Sequence, residues 1–541
     1  MTMKTKRELT ARIATSTIAA MLAALAFAGP STAQNAPGGA AGQSAPSTTG
    51  TGEAPAVAPR APSTPASTSN SVSPSNGSMP TPESAGINKS IAPVHYDLAR
   101  TIRESLDAST ELANALRTVR IDRARSDQAD SDGRPHVSAE GQATRFDQAT
   151  KVSIGGSPPI QVIGNHTELA ALNASENIDL TGQIKAAATQ AKLQSLEDQL
   201  VAQQVANARI LNAHTVYYNL LRAQHQVSVA QAALDTATAQ EKLAVQLNSQ
   251  QVGQKIDVLR ANTQVATAQQ QLTAAQNNEG IARQVFDNLV GQPIDTPIVV
   301  DDIEGVTVGE SITSVSQVGA PSPNIQLYQA PDDQITAIDL NKTIVASYDR
   351  RPEVLAAELE VRVQQTGITI ARSGLEPTLT LGAAGDYYPT TSFSYPRQRT
   401  ASITATLNIP LYDGGATRDK VKEARLGTDS AEATLSSRKT DVSLDVGEAY
   451  LNLITAASQI DAANSALQQA VAARQLAQIR YEGQVGLYLE VTDAESALVS
   501  AENDQVNAVY NYFVAQAQYQ NATGTPDVPP GALYPPAPST H

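Results

Sequence analysis

The chain of 541 residues has no cysteine. Disulfides, thiolate metal sites and an N-terminal lipidated cysteine are thereby excluded. Tryptophan is absent and aromatic residues make up only 4%. A compact globule of this length would hold more large apolar side chains, whereas long helices packed along narrow seams need fewer. Cations are in deficit, with 38 Lys and Arg against 53 Asp and Glu and a net charge of −15. That balance speaks against duplex nucleic acid as a partner. Past the N-terminal leader no apolar run reaches the roughly 18 residues of a spanning helix.

Residues 1–33 read as a secretory signal. Lys4, Lys6, Arg7 and Arg12 precede the apolar run Ile18 to Ala28, and Ser31-Thr32-Ala33 precedes a cut at Gln34. An exported chain with neither a spanning helix nor a lipid anchor is soluble outside the inner membrane or part of a β-barrel. Residues 34–90 are Pro, Ser, Thr, Gly and Ala, too poor in apolar groups to offset their ordering entropy, and read as a disordered linker.

What is present is a repeated seam. From Val442 the residues Val446, Ala449, Leu453, Ala456, Ile460, Ala463, Leu467, Ala470, Arg474, Ala477 and Tyr481 follow at alternating spacings of three and four. All but Arg474 are apolar, the mark of a helix that supercoils against a partner. After Gly483 and Gly486 the spacing restarts at Val491 and runs through Leu498, Ala508 and Tyr512 to Ala522, so two long helices form an antiparallel hairpin. The same hairpin occurs earlier in the chain. With Tyr450 laid on Tyr217, and no gap introduced, Leu467 falls on Leu234, Gly486 on Gly253, Val491 on Val258 and Pro526 on Pro293. A tandem duplication predicts a first repeat over 91–293, an inter-repeat segment over 294–340, a second repeat over 341–524 and a Pro-rich tail over 525–541.

Each repeat reads helix, strand, strand, long helix, return helix. Helical periods run from His95 to about Asp127 and from Pro352 to about Ser373. Alternating stretches of about ten residues follow, around Val137–Gly141, Leu169–Leu180, Leu379–Gly385 and Ile403–Leu407, a length that suits a tilted outer-membrane strand. Tyr387, Tyr388, Phe393, Tyr395 and Tyr412 stand near strand ends, as an interfacial girdle or as packing within a soluble sheet. The first long helix, from about Gly182 to Ser249, would be roughly 100 Å long. Four strands cannot close a barrel, and open edges are not tolerated in lipid, so several chains must share one. Three chains would give twelve strands. The fold class is thus mainly α, internally duplicated, with long helical hairpins and a small membrane β part.

The run Arg480-Tyr481-Glu482 to Tyr488-Leu489-Glu490-Val491-Thr492-Asp493-Ala494 resembles the helical-tip motif of the TolC-like outer-membrane efflux family. Leu407-Asn408-Ile409-Pro410-Leu411-Tyr412-Asp413-Gly414-Gly415 is similar to its strand-exit motif, and Gly291 and Gly524 to its helical ends. The resemblance covers residues 91 to 524. It implies a homotrimer with a twelve-stranded barrel in outer-membrane lipid and a periplasmic tunnel of twelve helices. The tips around Val252, Gly253, Val485, Gly486 and Leu487 would meet a periplasmic adaptor and an inner-membrane pump. The family is a conduit, not an enzyme, and no cofactor or metal is implied. One departure is that Gly483 and Gly486 straddle the place of the usual tip glycine, which predicts a turn of altered shape.

By the same resemblance Glu490 and Asp493, with Tyr481 beside them, fall at the periplasmic aperture, where carboxylates ringing a narrow entrance would attract cations. Acids in a first helical turn also serve the helix dipole. Asp257 is the copy of Glu490, and Arg260 the copy of Asp493. Arg260 could latch onto Asp493 or Glu490 of a neighbouring hairpin. Glu241 is the copy of Arg474, and the two are expected to form a cross-hairpin ion pair. The six His are scattered, and no nucleophile elbow, phosphate loop or metalloprotease motif occurs. The rival reading is a secreted coiled-coil filament or periplasmic adaptor, although an adaptor carries one hairpin between compact β domains.

Overall fold

The structure is a computed structural model that describes residues 94–536, apart from 154, 156–157, 164, 295, 304–326, 332–334, 336 and 390–397. The signal, the linker, Phe393, Tyr395 and most of the inter-repeat segment lie outside the described residues.

Strand β1 (Val94–Tyr96) leads into α1 (Leu98–Asp107) and α2 (Thr110–Ser131), then β2 (His136–Arg145), β3 (Thr150–Val152), β4 (Ile160–Ile163) and β5 (His166–Ile178). The first long helix is α3 (Gln183–Ser249), returned by α4 (Lys255–Val290), with β6 (Ile298–Val300) after it. The second repeat follows as α5 (Leu340–Tyr348), α6 (Pro352–Arg372), β7 (Thr378–Tyr387), β8 (Arg399–Asn408), α7 (Ala416–Glu482) and α8 (Tyr488–Ala522).

The duplication holds without a gap through the long helices. Helices α3 and α7 are both 67 residues long. In the alignment of Tyr217 with Tyr450, the start of α3 at Gln183 falls on the start of α7 at Ala416, and Lys255 of α4 falls on Tyr488 of α8. Upstream of the strand loops the offset is larger, with Thr110 answering to Pro352 and His136 to Thr378. The extra residues of the first repeat sit between β2 and β5, where β3 and β4 form a small antiparallel hairpin of their own.

The seam is buried as its spacing requires: Val442, Val446, Leu453, Ile460 and Leu467 lie inside, with α8 packed along α7 and α4 along α3. The two hairpins meet through α3 and α8, where Tyr218 stacks on Phe513 with ring centroids 5.4 Å apart. Strands β2, β5, β7 and β8 form one antiparallel sheet in that order. The last strand of the first repeat thereby joins the first strand of the second, Ala170 lying opposite Tyr387.

Two features of the first repeat differ from the expected pattern. The opening helix begins at Leu98, after β1, and breaks at Ala108, where Ser109 accepts from the Leu112 amide and caps α2. His95 lies in β1, which pairs in parallel with β6, Val94 opposite Ile298. That clasp and Tyr96, packed edge-on against Phe286 at 5.2 Å, belong to the largest buried cluster, which also gathers Ile102, Leu106, Ile210, Tyr217, Ile460 and Tyr510. The tail returns along α3. Gln199 and Gln203 donate to the Pro536 and Pro535 carbonyls at 2.6 and 3.0 Å, and the Tyr534 hydroxyl donates to Asn207 at 2.8 Å.

Candidate functional site at the helical tips

Both hairpins turn in the same way. After α3, Gln251 adopts φ 64°, and the Val252 and Gly253 amides donate to the Leu247 carbonyl at 3.1 and 2.9 Å. After α7, Gln484 adopts φ 59°, and the Val485 and Gly486 amides donate to the Arg480 carbonyl, both at 2.9 Å. The glycines serve close approach: a Cβ on Gly253 would stand 2.9 Å from Leu247 Cβ, and one on Gly486 would stand 2.9 Å from Arg480 Cβ. Gly483, one of the two glycines expected to reshape the turn, has φ −76°, and a glutamine takes the left-handed position instead. An L residue there costs about 1–2 kcal/mol. Part of that is offset by the extra freedom glycine has when unfolded. Gln484→Gly is therefore expected to stabilise the tip by about 0.5 kcal/mol. Increased hydrogen-exchange protection of residues 485–490 is the check; unchanged or weaker protection would show that no strain is held there.

Val252, Val485 and Leu487 are exposed at the ends of the turns. Tyr481 is not. It is buried with Tyr488, Val491, Ala477, Ala244 and Ala261 in a cluster drawn from all four long helices, its ring 5.3 Å from that of Tyr488. Burial, and then the charge of Asp257, raise the Tyr481 phenol. Burial pushes Tyr488 up to about 12, with Tyr481 and then Asp257 adding to it. Tyr481 thus packs between the two hairpins of one chain. Glu490 meets Arg480 of its own hairpin at 3.6 Å, and Asp493 and Arg260 are exposed.

Arg474, expected to meet Glu241 across the hairpins, has a partner closer in the chain. Arg474 pairs with Glu495 of α8 at 3.1 Å, within its own hairpin. Glu495 is 3% exposed and Glu502, one heptad further on, 1%, and Gln240 of α3 approaches Glu495 from the other hairpin. The seam reading passes over both acids because they occupy the column beside the seam, the one facing α3. A second sign is present in the sequence: two acids at heptad spacing opposite the seam's single cation.

His225 has no acidic neighbour in the sequence and finds one from the inter-repeat segment: Asp302, at 3.3 Å. Its ring also stacks on Tyr510, with centroids 5.8 Å apart. Burial alone would raise the Asp302 carboxyl, but the hydrogen bond and charge of His225 hold it below the usual range. The contact ties the inter-repeat segment to α3 and α8.

The family model for outer membrane efflux protein matches residues 344–525, the second repeat from α5 to the end of α8. The second repeat is thus similar to the outer membrane efflux protein family. Among relatives of this family, Escherichia coli (strain K12) outer membrane protein TolC is 26% identical over 199 residues, 34% of this chain and 40% of TolC. Pseudomonas aeruginosa outer membrane protein OprJ is 30% identical over 149 residues, 27% of this chain and 31% of OprJ. The aligned part thus spans less than half of these relatives. The fold likeness reaches further. The Vibrio cholerae outer membrane protein VceC superposes with a TM-score of 0.62 at 19% identity, over 79% of this chain and 96% of VceC. The open state of the Neisseria gonorrhoeae MtrE outer membrane channel gives 0.61 at 18%, over 82% and 91%. The fold of these channels therefore extends over both repeats.

Proposed function

We propose that the protein is the outer-membrane exit duct of a tripartite efflux or type I secretion system, a passive conduit closed at its helical tips. The observation that carries this reading is the sheet. Edge strand β8 is exposed along its whole length, and edge strand β2 at all but one position. Val137, Ile403 and Leu407 present apolar side chains outward. Tyr387 stands at one end of the sheet and Tyr412, past the other end, is also exposed. An apolar sheet with two open edges is stable in lipid only when those edges pair with sister copies. Three copies give a twelve-stranded barrel, and the hairpins then project into the periplasm.

Val252, Val485 and Leu487, with Gly253 and Gly486 shaping the turns, form the surface for a periplasmic adaptor, and through it the inner-membrane pump. Arg260 latches onto Asp493 of a neighbouring chain. Fractionation with bilayer recording tests the whole reading: a heat-modifiable trimer in the outer membrane, conducting in planar bilayers, is expected, and a soluble filament would end it. Glu490→Gln with Asp493→Asn is expected to lower the cation over anion permeability ratio by several fold, since the ring's carboxylates set its field. An unchanged ratio would reduce these acids to helix-dipole partners.

A further inference from the structure

The most unusual buried chemistry outside the tips lies on the flank of α8 that meets α3. The contacts Tyr218–Phe513 and Gln226–Asn507 set an antiparallel register between the two helices, which brings Gln240 near Glu495. In that register Glu502 falls opposite Ala233, with Ala230 and Ala237 on the same face of α3, all three buried. Helix α3 thus offers Glu502 no cation. Helix α7 offers Arg474, whose guanidinium already meets Glu495 at 3.1 Å. The charged groups acting on Glu502 are Glu495 on its own helix and Arg474 across the seam. Among the described residues its Oε1 is buried without a hydrogen-bond partner. Two carboxylates and one guanidinium leave one negative charge uncompensated where water does not reach, and such a charge is disfavoured against its protonated form.

We propose that Glu502 is a proton-binding site built into the joint between the two hairpins, filled while they are packed and emptied when they part. The proposal rests on the reading of the tips as the closed end of a duct, and adds a control on that closure. Parting the hairpins brings water to Glu502, and its carboxylic acid releases the proton to solvent as a carboxylate. Burial, then the Glu495 charge, push the packed carboxyl from its ordinary 4.5 up to about 8, with Arg474 opposing. Between those values the packed state holds a proton that the parted state does not. Packing is thus fully favoured below that window and weakens as pH rises through it, by up to about tenfold per pH unit for one proton. Glu495, also raised by burial against the pull of Arg474, acts in the same direction.

The test uses the full-length chain, purified as its native oligomer, with spin labels on Ala239→Cys and Ser500→Cys. Both positions are exposed, and the chain has no other cysteine. Pulsed EPR distances are recorded from about pH 5 to about pH 9. The parted population is expected to grow with pH in the wild type and to stay at its acidic level in Glu502→Gln. Glu495→Gln frees Arg474 for Glu502, lowers the proton affinity of the packed state and is expected to reduce the alkaline rise in the parted-to-packed ratio by about tenfold or more, which keeps the proposal testable if Glu502→Gln fails to assemble. A parted population independent of pH, an equal rise in Glu502→Gln, or an undiminished rise in Glu495→Gln overturns it. Planar-bilayer recordings on the same samples separate the two readings. No conductance at any pH removes the duct itself, whereas conductance with pH-independent distances removes the proton site alone.

Discussion

Arg474→Ala is expected to destabilise the helical stalk by about 3–5 kcal/mol, because it strands a buried charge rather than merely deleting a contact. The Glu495 side chain is 4% exposed, and Arg474 is its ion-pair partner at 3.1 Å. With the cation gone, Glu495 is left buried one heptad from Glu502 without its ion-pair partner. Glu495 must then take up a proton or draw in water. The loss should therefore shrink at acidic pH, where both acids are neutral, and Glu495→Gln in the same chain should recover most of it. The measurement is the temperature at which the purified protein unfolds, at a fixed scan rate so that irreversible unfolding does not distort the comparison. A double-mutant cycle of Arg474 with Glu495 should give a large coupling, and one of Arg474 with Glu241 none. The reverse pattern would restore the pairing that the repeat suggested and remove the buried cluster.

Arg351→Ala ranks next, at about 3 kcal/mol. This guanidinium is buried where three helices meet. It donates to the Ala522 and Asn521 carbonyls at 3.1 and 3.4 Å, closing the C-terminus of α8. It also donates to Glu353 at 2.6 Å and Asp445 at 3.0 Å. Truncation leaves terminal carbonyls and two carboxylates without their donor. Arg351→Lys should recover only part of the loss, since an ammonium cannot serve carbonyls and carboxylates as a planar fork does. Full recovery by lysine in the same thermal assay would mean that charge alone matters there. The first repeat meets the same need with a different residue: Arg209 donates to the Leu289 carbonyl at 2.7 Å and the Ser105 carbonyl at 3.1 Å.

That difference marks how far the sequence could be read. The seam, the hairpins and the strand pairs were legible because helix packing follows a heptad and strands alternate. The constant offset between the repeats then checked one half against the other. Contacts between segments far apart in the chain carry no period. The clasp of β1 on β6 is a pair of very short strands, and nothing in Val94–Tyr96 announces Ile298–Val300 as its partner. Asp302 reaches His225 for the same reason unannounced. At the tips the glycines were visible, but which residue takes the left-handed backbone depends on hydrogen bonds to Leu247 and Arg480, so Gln251 and Gln484 passed as ordinary. Tyr481 was placed at the aperture by resemblance, and only the packing of four helices turns it inward. Arg474 stands out as the break in the seam, yet analogy with its copy points to Glu241 and gives no sign of Glu495, which meets it at 3.1 Å.

The sheet that joins the repeats has a consequence for how the chain assembles. Each α-hairpin closes over a short turn, from Ser249 to Lys255 and from Glu482 to Tyr488, and can zip from that turn with little loop entropy to overcome. The central pairing of the sheet brings Ala170 of one repeat opposite Tyr387 of the other, with the whole first hairpin lying between them in the chain. Contacts of such separation are slow to find. The stalk is therefore expected to acquire protection from hydrogen exchange first, and the four-stranded sheet last. An intermediate with ordered helices and unpaired strands would then be the species that accumulates during folding.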